Sequence, residues 1–358
     1  MRSLDKLGMT LRVRSLHSAH ASVEMTYNAM IKGFWKTLSK PIFALAPLAN
    51  VTDAAFRRVI AKYGKPDVMF TEFTSADGLC SRGREMLLMD LWYTEIERPI
   101  VAQLFGSNPE HMYQACVLAR ELGFDGIDIN MGCPDTSVEK QGAGAGHIKN
   151  PKRAQEVIAA AMRGAEHLPV SVKTRIGYFK NTLDEWLPYL LEMQLAAITV
   201  HGRTRKEMSL VPAHWDVVAH AVELRNKYDA GLNRTLILGN GDVQDLDDAR
   251  EKVRQYGVDG VMIGRGIFGN PWRFNKEIRV EDVPLQKRLE VMCEHAELFE
   301  ALYKKDAPDG KNPFKKSFDV MKKHFKAYVN GFDGAKDLRI KLMETKNAQE
   351  VRAVVSGL

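Results

Sequence analysis

The sequence predicts a (β/α)8 TIM barrel followed by a C-terminal all-helical domain. Three observations carry this reading. From Lys40 onward, short β-rich runs alternate with helical stretches; eight such runs occur before Trp272; after Trp272 the alternation stops and only helical spacing is left. Strands alternating with helices are joined by right-handed crossovers into a parallel sheet, and eight units in about 230 residues match a closed barrel. A doubly wound open sheet is the alternative arrangement of the same units.

The runs are Ile42 to Leu45, Val68 to Phe73, Ile100 to Leu104, Gly126 to Met131, Val170 to Arg175, Ala197 to Val200, Thr235 to Leu238 and Gly260 to Ile263. Between them, helices are expected over Thr52 to Tyr63, Pro109 to Leu122, Pro151 to His167, Leu183 to Met193, Trp215 to Tyr228 and Val243 to Tyr256. Several open on Thr, Asn, Ser or Asp followed by Pro or strong helix formers, which is N-cap chemistry. From Pro284 the chain is rich in Lys, Glu, Leu and Met at helical spacing, as in Leu285, Leu289, Met292, Leu298 and Leu302. The expected organisation is therefore an N-terminal extension over 1–35, a barrel over 36–278 and a helical domain over 279–358, to which the resemblance given below assigns RNA binding.

Composition narrows the function classes. With 358 residues, 45% of them hydrophobic, the chain has ample material for a large core. No run of about 18 apolar residues is present, so no membrane span is expected. Cys80, Cys116, Cys133 and Cys293 lie far apart without C-x-x-C pairs, which argues against structural zinc, iron–sulfur ligation and a disulfide scaffold and fits a reducing cytoplasm. The net charge of +6 admits a polyanionic partner if the cations cluster. The first 32 residues carry Arg2, Lys6, Arg12 and Arg14 against Asp5 and Glu24 and lack the continuous apolar segment of a secretory signal. An organellar transit peptide, a poorly ordered extension, or translation starting at Met25 or Met30 all fit this stretch, and it is assigned no function.

Barrel sites form where strands end at their C-termini, so the residues after each run read as one convergent set. They are Ala46-Pro47-Leu48, Glu72, Gln103, Asn130 with Cys133, Lys173 with Arg175, His201-Gly202-Arg203, Asn240-Gly241-Asp242 and Gly264-Arg265-Gly266. A free cysteine is most often a small buried hydrophobe. Cys133, however, stands in Asn130-Met131-Gly132-Cys133-Pro134, where glycine and proline end the strand abruptly and bring the thiol to its tip. With an ordinary thiol pKa of about 8.5 it is mostly protonated near neutrality and can serve as a general acid as readily as a nucleophile. His147 is the one histidine near it in sequence, at an undefined distance in space. The two glycine turns around Asn240 and Arg265 follow the last two strands, where barrels commonly hold a phosphate. Lys173 ends an apolar strand, where a lysine is costly unless it meets a partner; under a flavin it would stabilise negative charge on the reduced ring. Gln103 can donate to and accept from a heterocycle edge. His201 has no partner at metal-ligand spacing, so no metal is expected.

These residues resemble the tRNA-dihydrouridine synthase family. The resemblance rests on Asn130-Met131-Gly132-Cys133-Pro134 with Val138 and Gly144-Ala145. It is reinforced by Ala46-Pro47-Leu48 with Val51-Thr52-Asp53, by Gln103, and by Val172-Lys173-Thr174-Arg175-Ile176-Gly177. His201-Gly202-Arg203-Thr204, Asn240-Gly241-Asp242 and Gly264-Arg265-Gly266 complete it. It spans about residues 40 to 345 and departs from the family pattern at Leu48 and at Gly146-His147-Ile148.

The resemblance implies an FMN-containing barrel that uses NADPH to reduce specific uridines of tRNA to 5,6-dihydrouridine. Reduced FMN would deliver hydride to C6, and Cys133 would protonate C5. It further implies that Pro47, Leu48, Gln103, Lys173, His201, Asn240, Gly241, Asp242, Gly264 and Arg265 bind the cofactor, and that Asn130, Arg175 and Arg203 hold an extruded uracil. Extrusion is needed because stacking covers the reacting face. The tail adds Lys304, Lys305, Lys311, Lys315, Lys316, Lys322, Lys323 and Lys326 as a phosphate-tracking patch, interleaved with Phe314, Phe318, Phe325 and Tyr328, aromatics better suited to the tail's core. A monomer is favoured. The competing functions are a flavin-dependent small-molecule pyrimidine oxidoreductase of the dihydroorotate or dihydropyrimidine dehydrogenase kind, and an inactive RNA-binding homologue.

Overall fold

The strands form where the β-rich runs place them and pair without exception in parallel. In the computed structural model, which describes residues 32–228, 234–304 and 316–357, they are β1 (Ile42–Leu45), β2 (Met69–Phe70), β3 (Thr74–Ser75), β4 (Ile100–Phe105), β5 (Gly126–Met131), β6 (Val170–Arg175), β7 (Ala197–His201), β8 (Leu236–Asn240) and β9 (Gly260–Ile263). The order is β1-β9-β8-β7-β6-β5-β4-β2. First and last strands are neighbours, with Ile42 opposite Gly260 and Leu45 opposite Ile263. A bridge between Ala44 and Val68 closes the ring. An open doubly wound sheet would keep those strands apart, so the barrel is the correct arrangement.

One run departs from expectation. Val68 to Phe73 is not a single strand: β2 and β3 both pair with β4, on either side of Thr71-Glu72-Phe73. The Thr71 hydroxyl takes the Gln103 N–H at 3.0 Å, and the Glu72 carboxylate is committed to the Asn50 N–H and to Lys316. These side-chain bonds interrupt the ladder just below the barrel mouth.

The expected helices are present with slightly later starts and earlier ends. Asn108 and Asn150 cap Pro109–Glu121 and Pro151–Ala165, each with proline in the first turn. The helices expected from Thr52 and Val243 begin at Ala54 and Leu246, behind the caps Asp53 and Asp245. At the opposite end from the strand tips, the turn Gly33–Lys36 puts Trp35, 3% exposed, against Ile42, Val68 and Leu236 inside the barrel. Part of the segment expected as an extension thus plugs the barrel floor. The remainder of that segment, 1–31, lies outside the described residues.

The tail helices are Leu285–Tyr303, Val320–Tyr328, Ala335–Met343 and Ala348–Ser356. They share one apolar core with the barrel through the helix Ala54–Tyr63. Phe56 of that helix stacks on His295 at 4.8 Å and meets His324 at 4.7 Å, and the Tyr303 hydroxyl accepts the Ala54 N–H at 3.3 Å. Burial pushes both histidines below their usual range, so they are neutral and act as flat apolar plates. Phe318, Phe325 and Tyr328 are buried in this core.

Lys316 corrects the expected phosphate-tracking patch. It is not on the surface: its side chain is 10% exposed and its Nζ lies 2.6 Å from Glu72 Oε2 and 3.7 Å from Asp90 Oδ1. Glu72 at the end of the second barrel run and Asp90 in the turn Leu88–Leu91 recruit it. Lys304 and Lys322 pair with Glu300 and Asp319. Lys305, Lys311, Phe314 and Lys315 lie outside the described residues.

Candidate active site

The strand tips surround a cavity of about 330 Å³ at the C-terminal mouth of the barrel. Pro47 and Leu48 follow β1, Asn130 lies near the end of β5 with Cys133 just beyond it, and Lys173 and Arg175 lie in the second half of β6. His201 ends β7 with Arg203 behind it, and Asn240, Gly241 and Asp242 leave β8, with Gly264 and Arg265 after β9. All of these line the cavity. Of the residues expected to bind cofactor or substrate, Gln103 is absent from the lining; Glu72, also expected at a strand tip, is absent too, committed to Asn50 and Lys316. Gln103 is fully buried, because both ends of its amide are consumed within the barrel by Asp128 and Asn130.

The thiol loop is held from two directions. From below, Asn130 Oδ1 accepts the N–H groups of Gly132 at 3.1 Å and Cys133 at 2.8 Å. From outside, Glu139 in the short helix Thr136–Lys140 accepts Arg205 through both oxygens, at 2.7 and 2.6 Å, and Tyr178 at 3.2 Å. Gly144 lets the loop return on itself: its φ is +57°, and a Cβ there would lie 2.8 Å from the Cys133 carbonyl oxygen. Burial pushes the Cys133 thiol up, only partly offset by the Asp135 N–H, so it is protonated at neutral pH. His147 is not its base. That imidazole is 1% exposed, its Nε2 faces the Gly106 carbonyl at 3.1 Å, and burial pushes its pKa down to about 4.

Beside the thiol loop, on β6, the cavity is cationic. Burial, reinforced by Arg175, pushes Lys173 down to about 8, and its ammonium has no hydrogen-bond partner among the described residues. Arg175 is 7% exposed and is held by the carbonyls of Gly132 at 2.7 Å, Thr204 at 3.1 Å and Met208 at 3.2 Å through Nε and Nη1. Its Nη2 makes no hydrogen bond among the described residues. His201 is held well below its usual range by burial and by the cations Lys173, Arg175 and Arg203. Arg203 Nη1 sits 3.2 Å from His201 Nε2. Arginine can only donate, so Nε2 accepts and the proton of the neutral ring is on Nδ1.

Asp242 is the one anion of the lining. Burial opposes its charge, but Arg203 and the Ala213 N–H outweigh burial and hold its carboxyl below the usual range. Arg203, expected to touch a substrate, is thereby spent on Asp242, His201 and the Val211 carbonyl. Arg265 bridges to the other Asp242 oxygen at 2.8 Å while its side chain stays 61% exposed. Gly241, with φ +122°, brings bare backbone to the cavity wall; a Cβ there would lie 2.7 Å from the Ala213 Cβ and 3.1 Å from the His201 ring. Among the described residues no three His, Cys, Asp or Glu side chains converge on a metal position, and no helix is long and apolar enough to cross a membrane.

Sequence reasoning missed Phe73, Met208 and Ser209, which also line the cavity. They sit in loops whose course only the closed barrel defines. It also passed over Asp128, although a lone carboxylate between Ile127 and Ile129 in a buried parallel strand is a signal in itself.

The sequence profile of the Dihydrouridine synthase (Dus) family matches residues 44–356. The "Probable tRNA-dihydrouridine synthase 2" of Bacillus subtilis (strain 168) is 42% identical over 328 residues, covering 91% of this chain and 96% of the relative. The "Probable tRNA-dihydrouridine synthase" of Staphylococcus aureus (strain MRSA252) is 40% identical over 328 residues, covering 91% and 95%. Among solved structures, morphinone reductase in complex with tetrahydroNAD aligns with a TM-score of 0.44 at 15% identity, over 70% of this chain and 86% of that one. With the profile spanning almost the whole chain and relatives matched nearly end to end, the protein belongs to the dihydrouridine synthase family.

Proposed function

We propose that the protein reduces uridine in transfer RNA to 5,6-dihydrouridine, with FMN as its resident flavin and NADPH as the reductant. The observation that carries this is that one cavity is lined by a protonated thiol and by the half-buried Lys173 ammonium, which has no hydrogen-bond partner among the described residues, and that its wall ends in two glycine turns.

The residues present fit a flavin. An ammonium drawn partly out of water without a partner is costly until an electron-rich group meets it, and half-buried Lys173 has no hydrogen-bond partner among the described residues. The bare backbone at Gly241, the turn at Gly264 and the exposed guanidinium of Arg265 suit a terminal phosphate. Pro47, Leu48, His201, Asn240 and Asp242 complete the wall that would hold the group, with Gln103 supporting it from beneath. When bound, FMN supplies the hydride that the uracil C6 must accept.

The chain's own residues supply the rest. Adding hydride to C6 leaves an electron pair at C5, and the Cys133 S–H supplies the proton that C5 needs. The resulting thiolate is reprotonated from solvent. Arg175, through its uncommitted Nη2, and Asn130, through its second amide proton, hold the uracil edge; Arg203 braces Asp242 and His201 behind them. The electropositive mouth attracts the RNA backbone. A cytoplasmic setting fits the free thiols of Cys80, Cys116, Cys133 and Cys293.

The test is direct. The purified full-length protein is expected to be yellow and to release FMN on denaturation, and to form dihydrouridine on unmodified tRNA with NADPH. Cys133→Ala is expected to keep the flavin and lose the product. Colourless, well-folded protein, or turnover of free uracil without RNA, would overturn the reading.

A further inference from the structure

A hydrogen-bond relay runs across the barrel interior beneath the cavity. Asp128, 1% exposed, accepts Ser171 Oγ at 2.6 Å and Gln103 Nε2 at 2.7 Å. Gln103 Oε1 accepts Asn130 Nδ2 at 3.0 Å, and Asn130 Oδ1 accepts the N–H groups of Gly132 and Cys133. The first three residues are register partners across β4, β5 and β6: Gln103 is opposite Asp128, which is opposite Ser171.

The polarity of this relay is forced from both ends. Burial pushes Asp128 up to about 6, with the Ser171 and Gln103 hydrogen bonds opposing it, so above that pH the carboxylate is ionised and only accepts, and Gln103 must turn its amino group toward Asp128 and its carbonyl toward Asn130. Asn130 must then present its amino group to Gln103, which leaves its carbonyl facing the two backbone N–H groups. A primary amide can otherwise sit in either of two orientations of similar shape. With Asn130 turned around, its amino group would confront two donors, and the Cys133 turn would lose its cap. We propose that Asp128 is a positioning residue for Cys133: by fixing the orientation of the Gln103 and Asn130 amides, it sets the turn that aims the thiol into the cavity. Asp128 does not itself line the cavity. The inference rests on the reading of Cys133 as the proton donor, but its geometry does not require the cofactor.

The experiment uses the full-length protein and measures iodoacetamide alkylation of Cys133, quantified on its own peptide by mass spectrometry, without RNA or reductant. Asp128→Leu removes the acceptor and is expected to change the alkylation rate at least about 5-fold. In the tRNA assay kcat is expected to fall about 10- to 100-fold, with KM for tRNA within about twofold, as for a misaimed catalytic group. Asp128→Asn is expected to rescue both. Its carbonyl can face Gln103 while its amino group donates to Ser171 Oγ, whose hydroxyl turns to the Ile127 carbonyl, 3.3 Å away. Ser171→Ala, which leaves the polarity untouched, is expected to behave as wild type. If Asp128→Leu does not fold, Asp128→Ala carries the same expectation. Wild-type alkylation in the folded Leu or Ala variant overturns the proposal, and so does an Asn variant as impaired as Leu. Because alkylation is read without turnover, a failure of the proposed reaction alone leaves this test standing.

Discussion

Replacing Lys316 by methionine removes a cation that pairs directly with Glu72 and Asp90 in a buried cluster tying the tail to the barrel. Lys316 Nζ is 2.6 Å from Glu72 and 3.7 Å from Asp90, with side-chain exposures of 10%, 5% and 25%. Asp53, fully buried, leaves its Oδ2 without a hydrogen-bond partner among the described residues. Removing one member of a buried pair leaves an uncompensated charge and costs about 3–5 kcal/mol, which corresponds to a drop in melting temperature on the order of 6–10 °C.

The loss has a pH signature. Burial pushes Asp53 and Asp90 up to about 6, with Lys316 pulling both down. A carboxyl whose folded pKa is raised favours the folded state below its unfolded value and loses that contribution as pH rises through the folded value. Without Lys316 both carboxyls rise further. The penalty of Lys316→Met is therefore expected to be largest above about pH 7 and to shrink toward pH 5, where protons replace the missing ammonium. The assay is thermal unfolding of wild type and variant, followed by circular dichroism between pH 5 and 8. A variant within about 1 °C of wild type at pH 7.5, or a penalty that does not change with pH, would refute the argument.

Cys133 must be protonated to act, and burial holds its thiol above the ordinary value of about 8.5; dihydrouridine formation is expected to stay level through neutral pH and fall only above that value, as a pH–rate profile of kcat would record. Cys133→Ser, a far weaker acid, is expected to lower kcat by about 10²-fold or more while leaving flavin content unchanged. Gly241→Ala places a Cβ at φ +122° against Ala213 and His201, and is expected to cost about 1–3 kcal/mol and to reduce the flavin retained on purification, read from the visible absorbance. Phe299→Ala empties part of the core shared by barrel and tail, and is expected to lower unfolding stability by about 3–5 kcal/mol in denaturant titration.

What the chain determines by itself is local in origin. Short β-rich runs between turn signals mark the expected strands, and Asn-Pro and Asp caps mark helix starts, because both patterns are written within a few consecutive residues. Gly132-Cys133-Pro134 ends a strand wherever that strand is placed, so the thiol's position at a tip was legible without the fold. So were Lys173, His201 and the turns at Gly241 and Gly264, since every strand of a barrel ends at one mouth. Tertiary structure decided how each side chain is spent. Gln103 belongs to the interior because Asp128 and Asn130 claim both ends of its amide, Arg203 is bound to Asp242, and His147 turns to Gly106. Lys316 leaves the surface because Glu72 and Asp90, more than 200 residues earlier in the chain, surround it. Each of these outcomes depends on a partner brought close by ring closure or by docking of the tail, and no spacing along the chain encodes that distance.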